Sequence, residues 1–318
     1  MNLSLVVSII GFMLAAYSVI ANDVIQTLGT FLSSNSKRNW FYLWLYAALI
    51  LSITLIIGWQ LNDGDVTYGR LSKIPLPEEI TWWYILPPLI LMLITQFGLP
   101  VSTTFMILSV FSSSQVIEKM VIKSVTGYAV AFAFAFGIYL LIAKKFESKS
   151  ELDKDHVKKQ EKYWMIAQWF STGFLWSQWL IQDFANIYVY LPRSLDLSSL
   201  LLSLSFILIL LAYVFRKRGG KIQDVVKQKT NSANIRSATL IDLTYGVVLY
   251  VFTVLNPIPM STTWTFVGIL AGREYAITYL LNKGAINETY KKLFKDLYKV
   301  NIGLVVSIII AVILQSLK

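Results

Sequence analysis

Long apolar runs separated by short polar stretches make up most of this chain. Leu3 to Phe31, Trp40 to Gln60, Val121 to Ala143, Tyr163 to Tyr190, Leu197 to Phe215 and Asn301 to Leu317 each have about the length a helix needs to cross a bilayer. The remaining apolar segments come in pairs. Trp82 to Phe97 and Val101 to Val110 meet at Gly98-Leu99-Pro100, and Ala238 to Leu255 meets Thr262 to Leu280 at Asn256-Pro257-Ile258-Pro259. Two apolar pieces joined by Gly and Pro predict a re-entrant helical hairpin. The short alternating strands of a barrel are missing.

The pattern therefore predicts an all-α membrane protein made of two inverted-topology repeats, each with three spanning helices plus a re-entrant hairpin. An odd number of crossings per half forces the second half to enter with the opposite orientation. The first repeat is expected over 1–143, a cytoplasmic linker over 144–162, and the second repeat over 163–318. Leu3 to Ile20 has no basic flank before it and no small-residue cleavage site after it, so it reads as a mature helix rather than a signal peptide.

Composition agrees: 56% of residues are hydrophobic and 14% charged, and the mean hydropathy is +0.59. A net charge of +10 would point to nucleic acid in a soluble chain. Here the basic residues sit between apolar runs, where the positive-inside rule accounts for them, and no nucleic-acid partner is expected. Lys144 to Lys162 holds seven lysines against five acids, Arg216 to Arg236 seven basic residues against Asp224, and Asn282 to Lys299 five lysines against two acids. Asn62 to Ile80 is acidic, with four carboxylates against Arg70 and Lys73. Both termini outside, in a cell (plasma or inner) membrane, puts every basic loop inside and the acidic one outside. Asn282 to Lys299 is expected as a separate basic surface helix. With no cysteine, disulfides and thiolate chemistry are excluded. His156, the only histidine, lies among Asp155, Lys158 and Lys159 and reads as a solvated linker residue.

Two polar stretches interrupt the apolar pattern, and each occurs twice. Asn22-Asp23-Val24-Ile25-Gln26 precedes Pro100-Val101-Ser102-Thr103-Thr104, and Gln182-Asp183-Phe184-Ala185-Asn186 precedes Pro259-Met260-Ser261-Thr262-Thr263. The separation is 79 positions from Asp23 to Ser102 and 78 from Asp183 to Ser261. A carboxylate at membrane depth is costly unless paired, and neither aspartate has a Lys or Arg within a helical turn. A bound cation is the natural partner. The amide oxygens of Asn22, Gln26, Gln182 and Asn186 beside Asp23 and Asp183 are hard ligands suited to sodium. The bland reading is a pair of protonated or capping aspartates that bind nothing. The triplets Ser102, Thr103, Thr104 and Ser261, Thr262, Thr263 each follow a proline and precede apolar helix, where hydroxyls cap free amides and the helix dipole favours an oxyanion. Arg193 and Arg273 are expected to snorkel to the interface, and Asp242 to be a structural surface group.

These motifs resemble those of the inorganic phosphate transporter (PiT) family, whose repeats carry Asn-Asp-Val-Ala-Asn and Pro-Val-Ser-Thr-Thr. The first copy matches well and the second more loosely, with Gln26 and Gln182 each standing where the family has asparagine. The resemblance implies a phosphate site lined by the two hydroxyl triplets, with sodium sites at the two aspartate-amide clusters. Sodium would serve as a coupling ion, with no other metal or cofactor, and a homodimer fits this kind of fold. The expected function is sodium-coupled import of phosphate or a related oxyanion, with no enzymatic activity. Its alternatives are proton coupling through the same acids and a transport-inactive scaffold or sensor. An intramembrane aspartic protease using Asp23 and Asp183 is a further rival, but its Tyr-Asp and Gly-x-Gly-Asp contexts are absent and it leaves the triplets unexplained.

Overall fold

The computed structural model describes residues 3–96, 101–146, 154–219, 223 and 235–315. The turn Gly98-Leu99-Pro100, the centre of the expected linker and most of the basic stretch 216–236 lie outside the described residues. Among those described there is helix and turn but no strand. In chain order the helices are α1 (Leu3–Val19), α2 (Ile25–Ser34), α3 (Trp40–Leu61), α4 (Leu86–Gln96), α5 (Ser109–Phe111), α6 (Ser114–Phe146), α7 (Lys154–Asp183), α8 (Ala185–Tyr188), α9 (Leu197–Arg216), α10 (Ile235–Leu255), α11 (Thr262–Leu281) and α12 (Ile286–Gln315). Five stretches are long and apolar enough to cross a membrane: Leu3–Ser34, Trp40–Leu61, Ser114–Leu141, Leu197–Arg216 and Ile235–Leu255. This is an integral membrane protein.

Several expectations shift. Ile235–Leu255, read above as a hairpin arm, is a 21-residue helix with the length of a span. The expected surface helix Asn282 to Lys299 is not separate, because after a 3₁₀ turn at Lys283–Ala285 one 30-residue helix, α12, runs on to Gln315. No Pro or Gly cap intervenes between its basic and apolar parts, so nothing ends the helix there. Most of the expected linker is helical too, since α6 continues to Phe146 and α7 begins at Lys154.

Polar residues decide where the helices bend and stop. α1 and α2 form one rod with a π turn at Ile20–Val24, which contains Asn22 and Asp23. Short amide and carboxylate side chains compete with helical backbone bonding, and π turns of this kind often mark functional sites. The matching segment in the second half stops at Asp183 and restarts at Ala185. Asn39 caps α3 by accepting from Phe41 N at 3.0 Å. Asp196 caps α9, and hydrogen bonds from Ser198 and Ser199 hold its carboxyl down to about 2. Arg193 does not reach for headgroups. Its guanidinium donates to the carbonyls of Val189 (3.1 Å) and Leu191 (3.0 Å) at the end of α8 and to Ile74 (3.0 Å).

Packing uses small residues and tryptophan N–H groups. α6 and α11 approach at Gly268 and Gly272, where an added Cβ would lie 2.6 Å from Tyr128 O and 2.2 Å from Phe132 O. Apolar attraction between helices is weak when the solvent is itself apolar, so close backbone packing has to supply the association. Trp176 Nε1 donates to Ala47 O at 2.9 Å, joining α7 to α3. Trp44 Nε1 donates to Leu208 O at 3.2 Å, joining α3 to α9. Outward-facing Leu49, Ile53, Leu202, Ile209 and Val254 are exposed, as a lipid-facing surface requires. Gly272→Val is expected to force α6 and α11 apart and to destabilise the detergent-purified protein by about 1–3 kcal/mol, read as a lowered unfolding temperature. An unchanged melt would mean this contact does not hold the two helices.

Candidate functional site

Every residue singled out in the two motif pairs is buried. Asn22, Asp23, Gln26, Ser102, Thr103, Thr104, Gln182, Asp183, Asn186, Ser261, Thr262 and Thr263 are each no more than 5% exposed. They arrive on four separate stretches: the π turn between α1 and α2 with the first turn of α2, residues 102–104 leading into the π turn Thr104–Leu108 ahead of α5, the end of α7 with α8, and the start of α11. The triplets face the aspartates and not lipid.

A continuous chain of hydrogen bonds joins the two acids. Thr103 donates its hydroxyl to Asp23 Oδ2. Asn186 Nδ2 donates to Thr103 Oγ1 at 3.1 Å and to Thr104 Oγ1 at 3.3 Å. Thr104 lies 3.3 Å from both Asp183 Oδ1 and Met260 O, and Thr262 donates to Asp183 Oδ2. The first triplet thus serves both aspartates, and the second copy's asparagine reaches back to the first triplet. Thr263 completes the interlock with a 3.4 Å bond to Val101 O. Three residues, Thr103, Asn186 and Thr104, bridge the two carboxylates, which repel each other when both are charged. Neutral donors do not cancel two negative charges, so the arrangement favours positive charge between or beside them.

The amides behave differently in the two copies. Asn22 Nδ2 donates to Asp23 Oδ1 at 2.8 Å and to Val101 O at 3.0 Å, and Gln26 Nε2 to Asn22 Oδ1 at 3.3 Å. In the second copy neither amide atom of Gln182, nor Asn186 Oδ1, has a hydrogen-bond partner among the described residues. Orphaned buried amide oxygens beside a carboxylate are costly in a protein interior and are the donor set a hard cation takes. The serines of the triplets do what their position implies. Ser261 Oγ accepts from Trp264 N at 3.3 Å as N-cap of α11, and Ser102 Oγ accepts from Phe105 N at 3.4 Å.

Three further polar groups belong to this region: Asp242, read from the sequence as a surface group, and Arg70 and Lys123, to which the sequence pattern assigned no role. Asp242 is not a surface group. It is fully buried on α10 and accepts at 2.5 Å from Thr30 of α2 and at 2.5 Å from Thr172 of α7. The rotation of α10 against α2 and α7 turns the residue inward, which its closeness to the helix start concealed. Arg70 is 2% exposed and Lys123 7%, and both bind carbonyls at the break between α10 and α11. Lys123 could have been flagged as an ionisable residue inside an apolar run. Arg70, in a polar loop, carries no such signal. Arg273 also lies inside rather than at an interface, with its guanidinium 5.5 Å from the centre of the Tyr139 ring.

A solved structure titled "The sodium-dependent phosphate transporter" is similar to this chain over 100% of both chains, with a TM-score of 0.62 and 16% sequence identity. At that identity the likeness establishes a shared fold. No family model matches the sequence, and no curated protein matches it.

Asp242→Ala would strand the hydroxyls of Thr30 and Thr172 in a dry interior. It is expected to cost about 1–3 kcal/mol of stability, with Asp242→Asn costing less, as read from thermal unfolding in detergent. Equal melts for Ala and wild type would show that the two threonines are satisfied some other way.

Proposed function

We propose that this protein is a secondary active transporter that imports inorganic phosphate, or a similar tetrahedral oxyanion, with sodium by alternating access between two inverted repeats. The observation that carries the reading is the hydrogen-bonded chain from Asp23 through Thr103, Asn186 and Thr104 to Asp183. It puts acid-amide clusters of both halves against hydroxyl triplets of both halves in one buried region. Similarity in fold to the solved phosphate transporter supports it.

The residues themselves supply a route to coupling. A threonine hydroxyl has a single proton, and in this structure Thr103 and Thr262 donate theirs to the aspartates. An oxyanion needs those protons. Withdrawing one from a carboxylate forfeits a charge-assisted bond of about 1.5–3 kcal/mol. Sodium held by Asp23 with Asn22 and Gln26, and by Asp183 with Gln182 and Asn186, takes over the carboxylate charge and releases the hydroxyls. Ser102, Thr103, Thr104, Ser261, Thr262 and Thr263 then turn donors toward the anion at two helix starts. Cation and anion each make the other's binding more favourable, which is the linkage a symporter requires. The two halves rock about this shared centre to expose it to one face and then the other.

The test is phosphate uptake into proteoliposomes under an inward sodium gradient. Wild type is expected to accumulate phosphate, and Asp23→Asn or Asp183→Asn to lower the rate about 10- to 100-fold. Uptake that persists in sodium-free buffer and follows a proton gradient would reassign the coupling ion to protons. Absence of flux, with sodium and phosphate still raising each other's thermal protection, would make the protein a sensor rather than a carrier.

A further inference from the structure

Arg70 and Lys123 come from distant parts of the chain, the loop after α3 and the first third of α6, and converge on one peptide oxygen. Arg70 Nη1 donates to Asn256 O at 2.7 Å and Lys123 Nζ to the same atom at 3.1 Å. Arg70 Nη2 also reaches Thr253 O at 3.2 Å, and Lys123 reaches Asn256 Oδ1 at 3.0 Å and Ile258 O at 2.6 Å. Every one of these acceptors is neutral. Neither cation has a carboxylate partner among the described residues, and Arg70 Nε is buried with no acceptor at all. When both are charged, two buried cations sharing one carbonyl oxygen repel each other and are only partly compensated, because a peptide dipole offers far less than an anion.

Their position gives this surplus charge a use. Asn256 and Pro257 are exposed, whereas Ser261 to Thr263 are buried. The two cations therefore sit under an exposed turn that leads, within a few residues, into the second hydroxyl triplet. Lys123's neighbour Ser124 accepts from Ser261 N at 2.9 Å, tying the same stretch of α6 to the first residue of that triplet.

We propose that Arg70 and Lys123 form an oxyanion subsite of their own, on the path between the face bearing the 62–80 loop and the buried hydroxyl triplets. A tetrahedral oxyanion such as phosphate displaces the carbonyls of Thr253, Asn256 and Ile258 as their partner. The bonds to the carbonyls already have a charged donor, but a phosphate oxygen adds an opposite charge, and with it an ion-pair attraction that a peptide dipole does not supply. The anion also removes the repulsion between the two cations. The fork of Arg70 fits two phosphate oxygens while Lys123 acts as a point charge on another. The subsite rests on the transport reading for its role, but its capacity to bind an anion is separately measurable.

The experiment uses the full chain with inorganic phosphate as probe. Initial uptake is measured against phosphate concentration at low and high ionic strength for wild type, Arg70→Gln, Lys123→Gln and Lys123→Arg. Each neutral variant is expected to raise half-saturating phosphate on the order of tenfold and to flatten its dependence on ionic strength, with the loss falling on half-saturation rather than on maximal rate. Lys123→Arg should retain the salt dependence. Unchanged half-saturation in the Gln variants overturns the proposal. So does a fall in maximal rate with wild-type salt dependence, which would mark the pair as mere staples of the turn. If the Gln variants do not fold, the wild type decides: half-saturation indifferent to ionic strength overturns the subsite, and a steep dependence retained by Lys123→Arg supports it. If wild type shows no phosphate flux, the transport reading fails, and equilibrium phosphate binding in detergent takes over. Salt-sensitive binding lost in the Gln variants would still support the subsite, and no binding by wild type would overturn it.

Discussion

Two carboxylates buried inside a membrane protein govern the arrangement around them. Asp23 and Asp183 are both buried, and neither forms an ion pair with a basic residue among those described. An uncompensated charge in such a medium costs several kcal/mol, so the surrounding chain has to supply donors or a counter-charge. The π turn at Ile20–Val24, the interruption after Asp183 and the two helix starts at the triplets all follow from that demand. Each sacrifices regular helix at a place where the freed groups are needed for the acids.

In the proposed transport cycle, threonine is the residue that would convert this demand into linkage. Its hydroxyl can satisfy a carboxylate or an incoming oxyanion with the same proton, but not both at once. An alanine or valine there would leave the acids bare, and a lysine would neutralise them permanently. The two halves differ in how their amides are satisfied, not their acids. Asp23 accepts from Asn22, Gln26 and Thr103 and Asp183 from Thr104 and Thr262, whereas neither amide atom of Gln182 has a partner among the described residues. The second cluster is therefore the more open to a cation. Arg70 and Lys123 gather at the turn that leads into the second copy's hydroxyl triplet.

Outside the site, rigidity comes from close backbone approach and from aromatic N–H groups. Gly268 and Gly272 allow α6 and α11 to touch, and α11 carries the second triplet at its first turn. The same α6 provides Ser124 to the N–H of Ser261 and Lys123 to the preceding turn. One helix thereby holds the triplet, its cap and the turn above it in register. Asp242, linking α2, α7 and α10 through Thr30 and Thr172, gives a comparable tie on another side of the same core.

Hydropathy, the doubled Asn-Asp and Gln-Asp stretches and the doubled Ser-Thr-Thr stretches were enough to read helical membrane architecture and to name the residues that converge. Run length and polar interruption act locally, and lipid leaves the backbone few choices besides helix. Convergence of Asn186 on Thr103 and Thr104 was implied by the repetition but not by any local rule. Three things depended wholly on how the helices pack. Asp242 is inward because of the rotation of α10. Arg70 is buried because the loop after α3 folds back over the break at Asn256. Lys123 meets it there because α6 lies against α11. A charge's partner across a hundred residues or more is set by helix rotation and close approach, and neither quantity is written in the periodicity of a single segment.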